Sequence, residues 1–140
     1  MGSAGQAGIQ FGPNNTGKLY VSLHRHRGSG STAYKNRWAP QVPPAMEYDI
    51  FCAADYGGWV DVNGHYWGVD NGGVTILGDQ GERLCKFPRN DNPRVPWHGY
   101  PVSPLQNGSV DAPPFAFVED WIRHGVVSRT VGRRIQKWKI

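Results

Sequence analysis

Trp59-Val-Asp-Val-Asn-Gly-His-Tyr-Trp-Gly-Val69 is the most informative segment of the chain. Apolar and polar residues alternate on both sides of its Asn-Gly pair, and this pattern is typical of a β-hairpin. The pair itself predicts a two-residue type I′ turn, because both positions of that turn need a positive φ. In this register Val60 faces Trp67 and Val62 faces His65. The predicted core face of the hairpin then carries the side chains of Val60, Val62, Trp67 and Val69.

The hairpin is predicted to belong to a larger antiparallel sheet. Turn residues precede and follow the apolar run 74–77, so this run and residues 82–87 are both expected to be strands. Upstream, residues 18–24 alternate apolar with polar side chains, and residues 34–42 supply a further strand ahead of a proline pair. Together these segments predict a meander of about four to six strands.

The C-terminal segment, residues 111–140, changes to a helical pattern. The Pro113-Pro114 pair suits the first turn of a helix, and Gly125 suits its end. Ser128 or Thr130 can cap a second helix. We therefore expect an α+β fold in which a small antiparallel β-sheet is covered by a C-terminal pair of short helices.

A chain of 140 residues has the length of one domain. We predict a flexible N-terminal segment at residues 1–17 and a single α+β domain at residues 18–140. Within this domain the predicted order is a strand plus a Pro-rich linker (18–45), the meander and a long loop (46–110), and the basic helical C-terminus (111–140).

Charge is strongly segregated along the chain. Every acidic residue lies between Glu47 and Asp120, so residues 1–45 and 123–140 are purely basic. The formal charges of the N-terminal, middle and C-terminal parts are +5, −7 and +6, which give the net charge of +4. This distribution favours an anionic partner, or basic ends that dock on an acidic surface.

The C-terminal basic residues suit a helix that binds nucleic acid. Residues 118–138 contain a helix, a glycine-containing turn and a Ser-led basic helix, which is the order of a helix-turn-helix. Trp121, in place of a small residue, and Gly132, inside the second helix, depart from that motif. We predict a small non-enzymatic module whose basic N- and C-terminal segments bind an anionic partner, with nucleic acid favoured over an acidic protein surface. The predicted contact residues are Arg25, Arg27, Arg129, Arg133, Arg134 and Lys137.

Pro96-Trp-His-Gly-Tyr-Pro101 is an unusual string, because prolines restrict the backbone around two aromatic rings and an imidazole. Trp97 and Tyr100 are candidate binding residues, since exposed aromatic rings stack on bases. The competing interpretation is a rigid loop whose Trp97 covers the edge of the core and whose Tyr100 is buried.

Two other functions remain as alternatives. In the first, the basic ends dock on the acidic middle of another protein or of a second copy, which makes the chain an adaptor or a homo-oligomer subunit. In the second, the chain is a small nuclease-like hydrolase that uses His98 with His65 or His124 and the cation of Arg94. No spacing brings these residues together, so no catalytic residue is assigned.

The sequence lacks the common motifs for cofactors, metals and membranes. There is no Walker loop, HExxH or CxxC motif, and the pair His24 and His26 offers too few ligands for a metal, so no cofactor or metal site is expected. There is no long apolar run and no secretory signal, so we expect a cytoplasmic protein without a membrane partner.

Overall fold

The structure, a computed structural model, describes residues 8–27 and 36–140. In this part of the chain, helices and two small antiparallel sheets confirm the predicted α+β class. The strands are β1 (Gly8–Phe11), β2 (Tyr20–Leu23), β3 (Tyr66–Gly68), β4 (Leu84–Phe87) and β5 (Tyr100–Val102). The α-helices are α1 (Pro44–Gly57), α2 (Pro104–Asn107), α3 (Phe115–Arg123) and α4 (Arg129–Gln136). Short 3-10 turns occupy His24–His26, Asn71–Gly73 and Gly108–Asp111.

The strands form two sheets and not the single meander that the sequence predicts. β1 pairs with β2 in a two-stranded ribbon, while β4 lies between β3 and β5 in a three-stranded sheet. In that sheet Trp67 pairs with Lys86, and Cys85 pairs with Pro101. β1 falls within the segment 1–17, for which the sequence predicts a flexible chain, and its residues bond to the buried β2.

The predicted type I′ turn at Asn63-Gly64 is wrong, because the side chain of Asp61 organises a different loop. Its Oδ1 accepts hydrogen bonds from the backbone N–H groups of Asn63 (2.8 Å) and His65 (3.1 Å). The carbonyl of Asp61 accepts a third bond from the N–H of Gly64 (3.0 Å), which has a φ of +86°. Since Asn63 does not take a positive φ, the loop has three residues and combines a type I turn with a bulge.

The additional loop residue shifts the register of the hairpin by one position. Val60 bridges to Tyr66 and not to Trp67, so the two valines leave the predicted core face. Val62 is 97% exposed, whereas Trp67 and Val69 remain buried.

Two other predicted strands are absent from the described residues. Residues 74–77 follow the 3-10 turn at Asn71–Gly73 and do not pair as a strand; Leu77 is buried there, while Val74 and Ile76 are exposed. Of residues 34–42, Trp38 makes an isolated bridge to Gly78, and Tyr34 and Lys35 lie outside the described residues. The predicted loop at the end of segment 46–110 instead contains β5 and α2.

Helix α1 is the main element that the sequence analysis missed. Pro44 occupies its first turn, where a missing N–H is harmless, and Gly58 closes it with a left-handed φ of +68°. Ile50, Phe51 and Ala54 are buried. This apolar spacing is helical, but the proline pair before it was interpreted as the end of a strand.

The three-stranded sheet lies between α1 and the C-terminal helices. Cys85 and Phe87 of β4 share a core cluster with Ile50 and Phe51 of α1, on one face of the sheet. On the opposite face, a second cluster joins the sheet to α3 and α4. Its buried residues are Trp67, Val69, Leu84, Val102, Val118, Trp121, Val127 and Ile135.

Gly132 allows α3 and α4 to approach each other closely. A Cβ atom at this position would lie 2.4 Å from Cγ1 of Ile122, well inside contact distance. Trp121 is 2% exposed and packs edge-on against Trp59, with ring centroids 5.6 Å apart. The two residues that depart from a helix-turn-helix pattern therefore hold this helix pair on the core.

Gly132→Ala should destabilise the protein although alanine favours helix. Overpacking against Ile122 costs about 1–3 kcal/mol, and the gain in helix propensity is about 1 kcal/mol, so we expect a net loss of up to about 2 kcal/mol in urea unfolding. The effect should shrink in an Ile122→Ala background, because the colliding atoms are removed. Thr130→Ala, on the exposed side of α4, is the control. A Gly132→Ala variant more stable than the parent would contradict this account of the crossing.

Candidate functional site

Helix α4 turns its basic side chains toward solvent. Successive helical residues are rotated by about 100°, so one side of α4 carries the cations and the opposite side carries the buried Gly132 and Ile135. The helix begins at Ser128, whose Oγ accepts a hydrogen bond from the N–H of Val131 (3.1 Å). The basic face, as we name it here, consists of Arg129, Arg133, Arg134 and Lys137.

Most cations of the basic face have no carboxylate partner in the described chain. Arg133 is the exception, because it pairs with Glu119 (2.6 Å) and also donates to Oε1 of Gln136 (2.7 Å). Arg134 donates to the backbone carbonyl of Lys139 (3.2 Å), which leaves its charge uncompensated. Residues 8–27 and 36–140 hold no ion pair to Arg129, Arg134 or Lys137, and all three are exposed.

The N-terminal basic residues have a different environment. The guanidinium of Arg27 pairs with the fully buried carboxylate of Glu47 and also donates to the carbonyl of Val42. Lys18 pairs with Asp55 (3.0 Å) at the C-terminal end of α1. Arg27 is thus engaged within its own subunit, and we leave it out of the candidate surface. Arg25 is exposed.

Glu47 is a buried acid that the sequence analysis did not single out. Its two carboxylate oxygens accept hydrogen bonds from the hydroxyls of Tyr20 (2.7 Å) and Ser22 (2.6 Å). Burial raises the pKa of Glu47, against the lowering effect of these bonds and of Arg27. The network fastens α1 to β2 and leaves no free oxygen directed at solvent, so we assign it a structural role.

The Pro96–Pro101 string divides between packing and a histidine cluster. Trp97 is half-buried, and its ring lies against Phe51 and Tyr66, with centroids 5.5 and 5.2 Å apart. Its backbone bonds to that of Leu19 and Val21 (both 2.8 Å), as the rigid-loop interpretation requires. We therefore omit Trp97 from the candidate binding surface.

His98 and Tyr100 meet His26, a residue that the sequence analysis considered only as a metal ligand. The imidazoles of His26 and His98 are stacked with centroids 6.3 Å apart, and the ring of Tyr100 lies 5.1 Å from that of His26. Nδ1 of His26 is 2.8 Å from the carbonyl of Asn36, so this nitrogen carries the hydrogen of the bond. Burial, with the nearby charges of His26 and Arg25, lowers the pKa of His98 to about 4.

His65 and Arg94, the predicted companions of His98, lie in other environments. Nδ1 of His65 accepts a hydrogen bond from the N–H of Arg89 (3.0 Å). Arg94 is exposed, and its N–H donates to the side chain of Asn92 (3.0 Å). The imidazole partner that the structure gives His98 is therefore His26.

A cavity of about 550 Å³ lies beside the end of α4. It is bounded by the β3–β4 part of the sheet, the Gly108–Asp111 turn, the beginning of α3 and the chain after α4. Sequence analysis missed this site because its residues come from four separate segments. The cavity lining includes the side chains of Asp61, His65, Trp67, Lys86, Phe115 and Trp138.

Comparisons with known proteins do not assign this site. The chain matches no protein-family model, no curated protein and no solved structure. Within residues 8–27 and 36–140 there is no group of three His, Cys, Asp or Glu side chains placed to hold a metal ion. In the same residues no helix combines the length and apolar character needed to cross a bilayer.

Acidification should destabilise the protein through His98. An unfolded histidine binds its proton below about pH 6.5, whereas the folded His98 stays neutral down to about pH 4. The unfolded state therefore binds the extra proton in this window, and stability is lost as pH falls from about 6.5 to about 4. We expect His98 to contribute roughly 1–3 kcal/mol of this loss.

Urea unfolding at intervals between pH 7 and pH 4 measures the effect. The stability of a His98→Gln variant should depend less steeply on pH, whereas His124→Gln, at an exposed position, should follow the parent curve. Parallel curves for the parent and His98→Gln would show that His98 titrates normally.

Proposed function

We propose that the protein is a small non-enzymatic module that binds nucleic acid through the basic face of α4. The observation that carries this proposal is the exposure of Arg129, Arg134 and Lys137 on one side of α4 without a carboxylate partner in the described chain. Uncompensated cations on a rigid helix attract a polyanion and release its counterions when it binds.

The spacing of these cations suits a row of phosphates. Arg134 and Lys137 are three residues apart, so their Cβ atoms are about 5–6 Å from each other. Arg129 lies about two turns before Lys137 and about 80° from it around the helix axis, which extends the positive charge along the axis. Gly132 and Trp121 make their contacts on the core side of α3 and α4, and they leave this exposed side unobstructed.

The internal ion pairs of the N-terminal segment remove basic residues from the proposed binding surface. Arg27 and Lys18 bond to Glu47 and Asp55 of the same chain, whereas Arg129, Arg134 and Lys137 have no ion pair within residues 8–27 and 36–140. We therefore propose one contact surface on α4 in place of the two basic segments expected from the sequence.

Charge reversal on the basic face should weaken binding and flatten its dependence on salt. In an Arg134→Glu/Lys137→Glu variant we expect at least about a tenfold loss of affinity for a labelled oligonucleotide at low salt. The slope of log K against log salt should fall by about 1.4–1.8, because two phosphate contacts are lost. Fluorescence anisotropy over a series of NaCl concentrations measures both quantities.

A matched variant distinguishes a local contact from net charge. Arg89→Glu/Arg94→Glu changes the charge equally at two exposed positions of the Pro88–His98 loop and should retain most of the affinity. Equal losses in the two double variants, or no retention of oligonucleotide at low salt, would contradict the proposal. A mass that changes with salt in sedimentation, without nucleic acid, would instead support the adaptor function.

A histidine-dependent nuclease-like hydrolase is the second candidate, favoured by the contact between His26 and His98 beside the charge of Arg25. It ranks second because burial lowers the pKa of both imidazoles, which disfavours the imidazolium that would donate a proton to a leaving group. If this candidate is correct, His98→Gln will abolish cleavage of an RNA oligonucleotide without a comparable loss of stability. Absence of any cleavage by the parent protein excludes it for that substrate.

A further inference from the structure

The cavity beside α4 has aromatic walls that are accessible to a ligand. Phe115 and Trp138 line it and are 63% and 46% exposed, respectively. The buried ring of Trp67 forms its floor, and the ammonium of Lys86 lies 5.0 Å from the centroid of that ring. The volume of about 550 Å³ is within the range of small-ligand sites.

The polar groups available in this cavity are mainly donors. Asp61 is its acidic side chain, and the carboxylate is already engaged: Oδ1 accepts from Asn63 and His65, and Oδ2 accepts from Nε1 of Trp67 (2.9 Å). Lys86 has no ion pair within residues 8–27 and 36–140, and its ammonium donates a hydrogen bond to the backbone carbonyl of Val110 (3.4 Å). The ammonium of Lys86, which has no carboxylate partner in the described residues, therefore favours an anionic group on its side of the cavity.

His65 adds a second donor to the same wall. Because its Nδ1 accepts a hydrogen bond from the N–H of Arg89, the neutral ring carries its proton on Nε2. The lining thus combines an ammonium, an imidazole N–H and exposed aromatic faces, which is the combination that recognises an aromatic ring bearing a phosphate.

The backbone at Trp138 is strained. Its φ is +57°, in the left-handed region, at the position just after the end of α4 where glycine is the usual residue. A side chain there costs about 1–2 kcal/mol. The strained backbone places the Trp138 ring beside Gly108, in the lining of the cavity, with 46% of its surface exposed.

We propose that this cavity binds one nucleotide unit of a single-stranded nucleic acid, with the base against Trp138 and Phe115 and the phosphate near Lys86. This inference rests on the proposed function, and it specifies that the nucleic acid bound by the module is single-stranded. Gln136 and Trp138 line the cavity, and Lys137 of the basic face lies between them in the chain, so the two surfaces are contiguous. A base inside a duplex is paired and stacked and cannot enter such a cavity.

The first experiment titrates the full chain with UMP and AMP, with uridine and adenosine, and with inorganic phosphate. Binding is followed by calorimetry and by the ¹⁵N–¹H signals of the tryptophan indoles. We expect the nucleotides to bind more tightly than nucleosides or phosphate and to shift the indole signal of Trp138. If the protein binds an acidic peptide and none of the nucleotides, the proposal is overturned in favour of a protein partner.

The second experiment separates a binding role of Trp138 from a structural one. Trp138→Gly relieves the positive φ, so its melting temperature should equal or exceed that of the parent. Its affinity for a single-stranded oligonucleotide should nevertheless fall about 10- to 100-fold, because a stacking partner is lost. Tyr56→Ala, which removes another half-exposed aromatic ring, should bind like the parent.

The Lys86→Gln variant tests the cavity without changing the strained backbone at Trp138. It should weaken the binding of UMP but not that of uridine. The slope of log K against log salt for a single-stranded oligonucleotide should fall by about 0.7. If Trp138→Gly melts at a lower temperature than the parent, the binding measured for Lys86→Gln decides whether the cavity holds the nucleotide. Parent-like binding by both variants would overturn the cavity proposal, and it would leave the α4 proposal intact if charge reversal still weakens binding. Absence of oligonucleotide binding by the parent would overturn both.

Discussion

Gly68 has no side chain, and Ile50 of α1 occupies the space that a side chain would need. A Cβ atom at Gly68 would lie 2.6 Å from Cγ2 of Ile50 and 2.9 Å from Sγ of Cys85. This close approach lets a single helix cover the short three-stranded sheet, and it places Cys85 and Phe87 against α1. The opposite sheet face is then left for α3 and α4, whose cluster forms the second half of the core. Because strands of three or four residues bury little surface alone, both helical layers are needed for the sheet to be stable.

The two basic ends of the chain have different roles in this arrangement. The Arg27 guanidinium and the Lys18 ammonium are used to attach the N-terminal segment to α1, through Glu47 and Asp55. Helix α4 lies on the outside of its layer, so its cations face solvent while Gly132 and Ile135 face the core. Both ends of the chain are basic in the sequence. In the fold, the N-terminal cations form ion pairs with α1, whereas the cations of α4 are exposed to solvent.

The cavity next to α4 exists because the second layer is assembled from several segments. The Asp61 loop, the Lys86 position of β4, the beginning of α3 and the residues after α4 contribute its walls. Its floor is organised by one carboxylate, since Asp61 bonds to two backbone N–H groups and to the Trp67 indole. The same interactions that shift the hairpin register therefore also hold the Asp61 carboxylate against its own loop and the Trp67 indole.

Local patterns in the sequence were sufficient for the α+β class, the strand at Tyr20–Leu23, the strand at Leu84–Phe87 and the segregation of charge. Each depends on neighbours in the chain: alternation of side chains, turn residues and the order of acids and bases. Two further features are local, although the patterns above did not predict them. The Asp61 carboxylate bonds to N–H groups two and four residues ahead in place of the Asn-Gly turn, and the apolar spacing of α1 is helical although a proline pair suggested a break. Tertiary contacts decided the rest, since Arg27 pairs with Glu47 and four separate segments enclose the cavity. These last two outcomes depend on side chains that meet across long stretches of sequence, which no local period encodes.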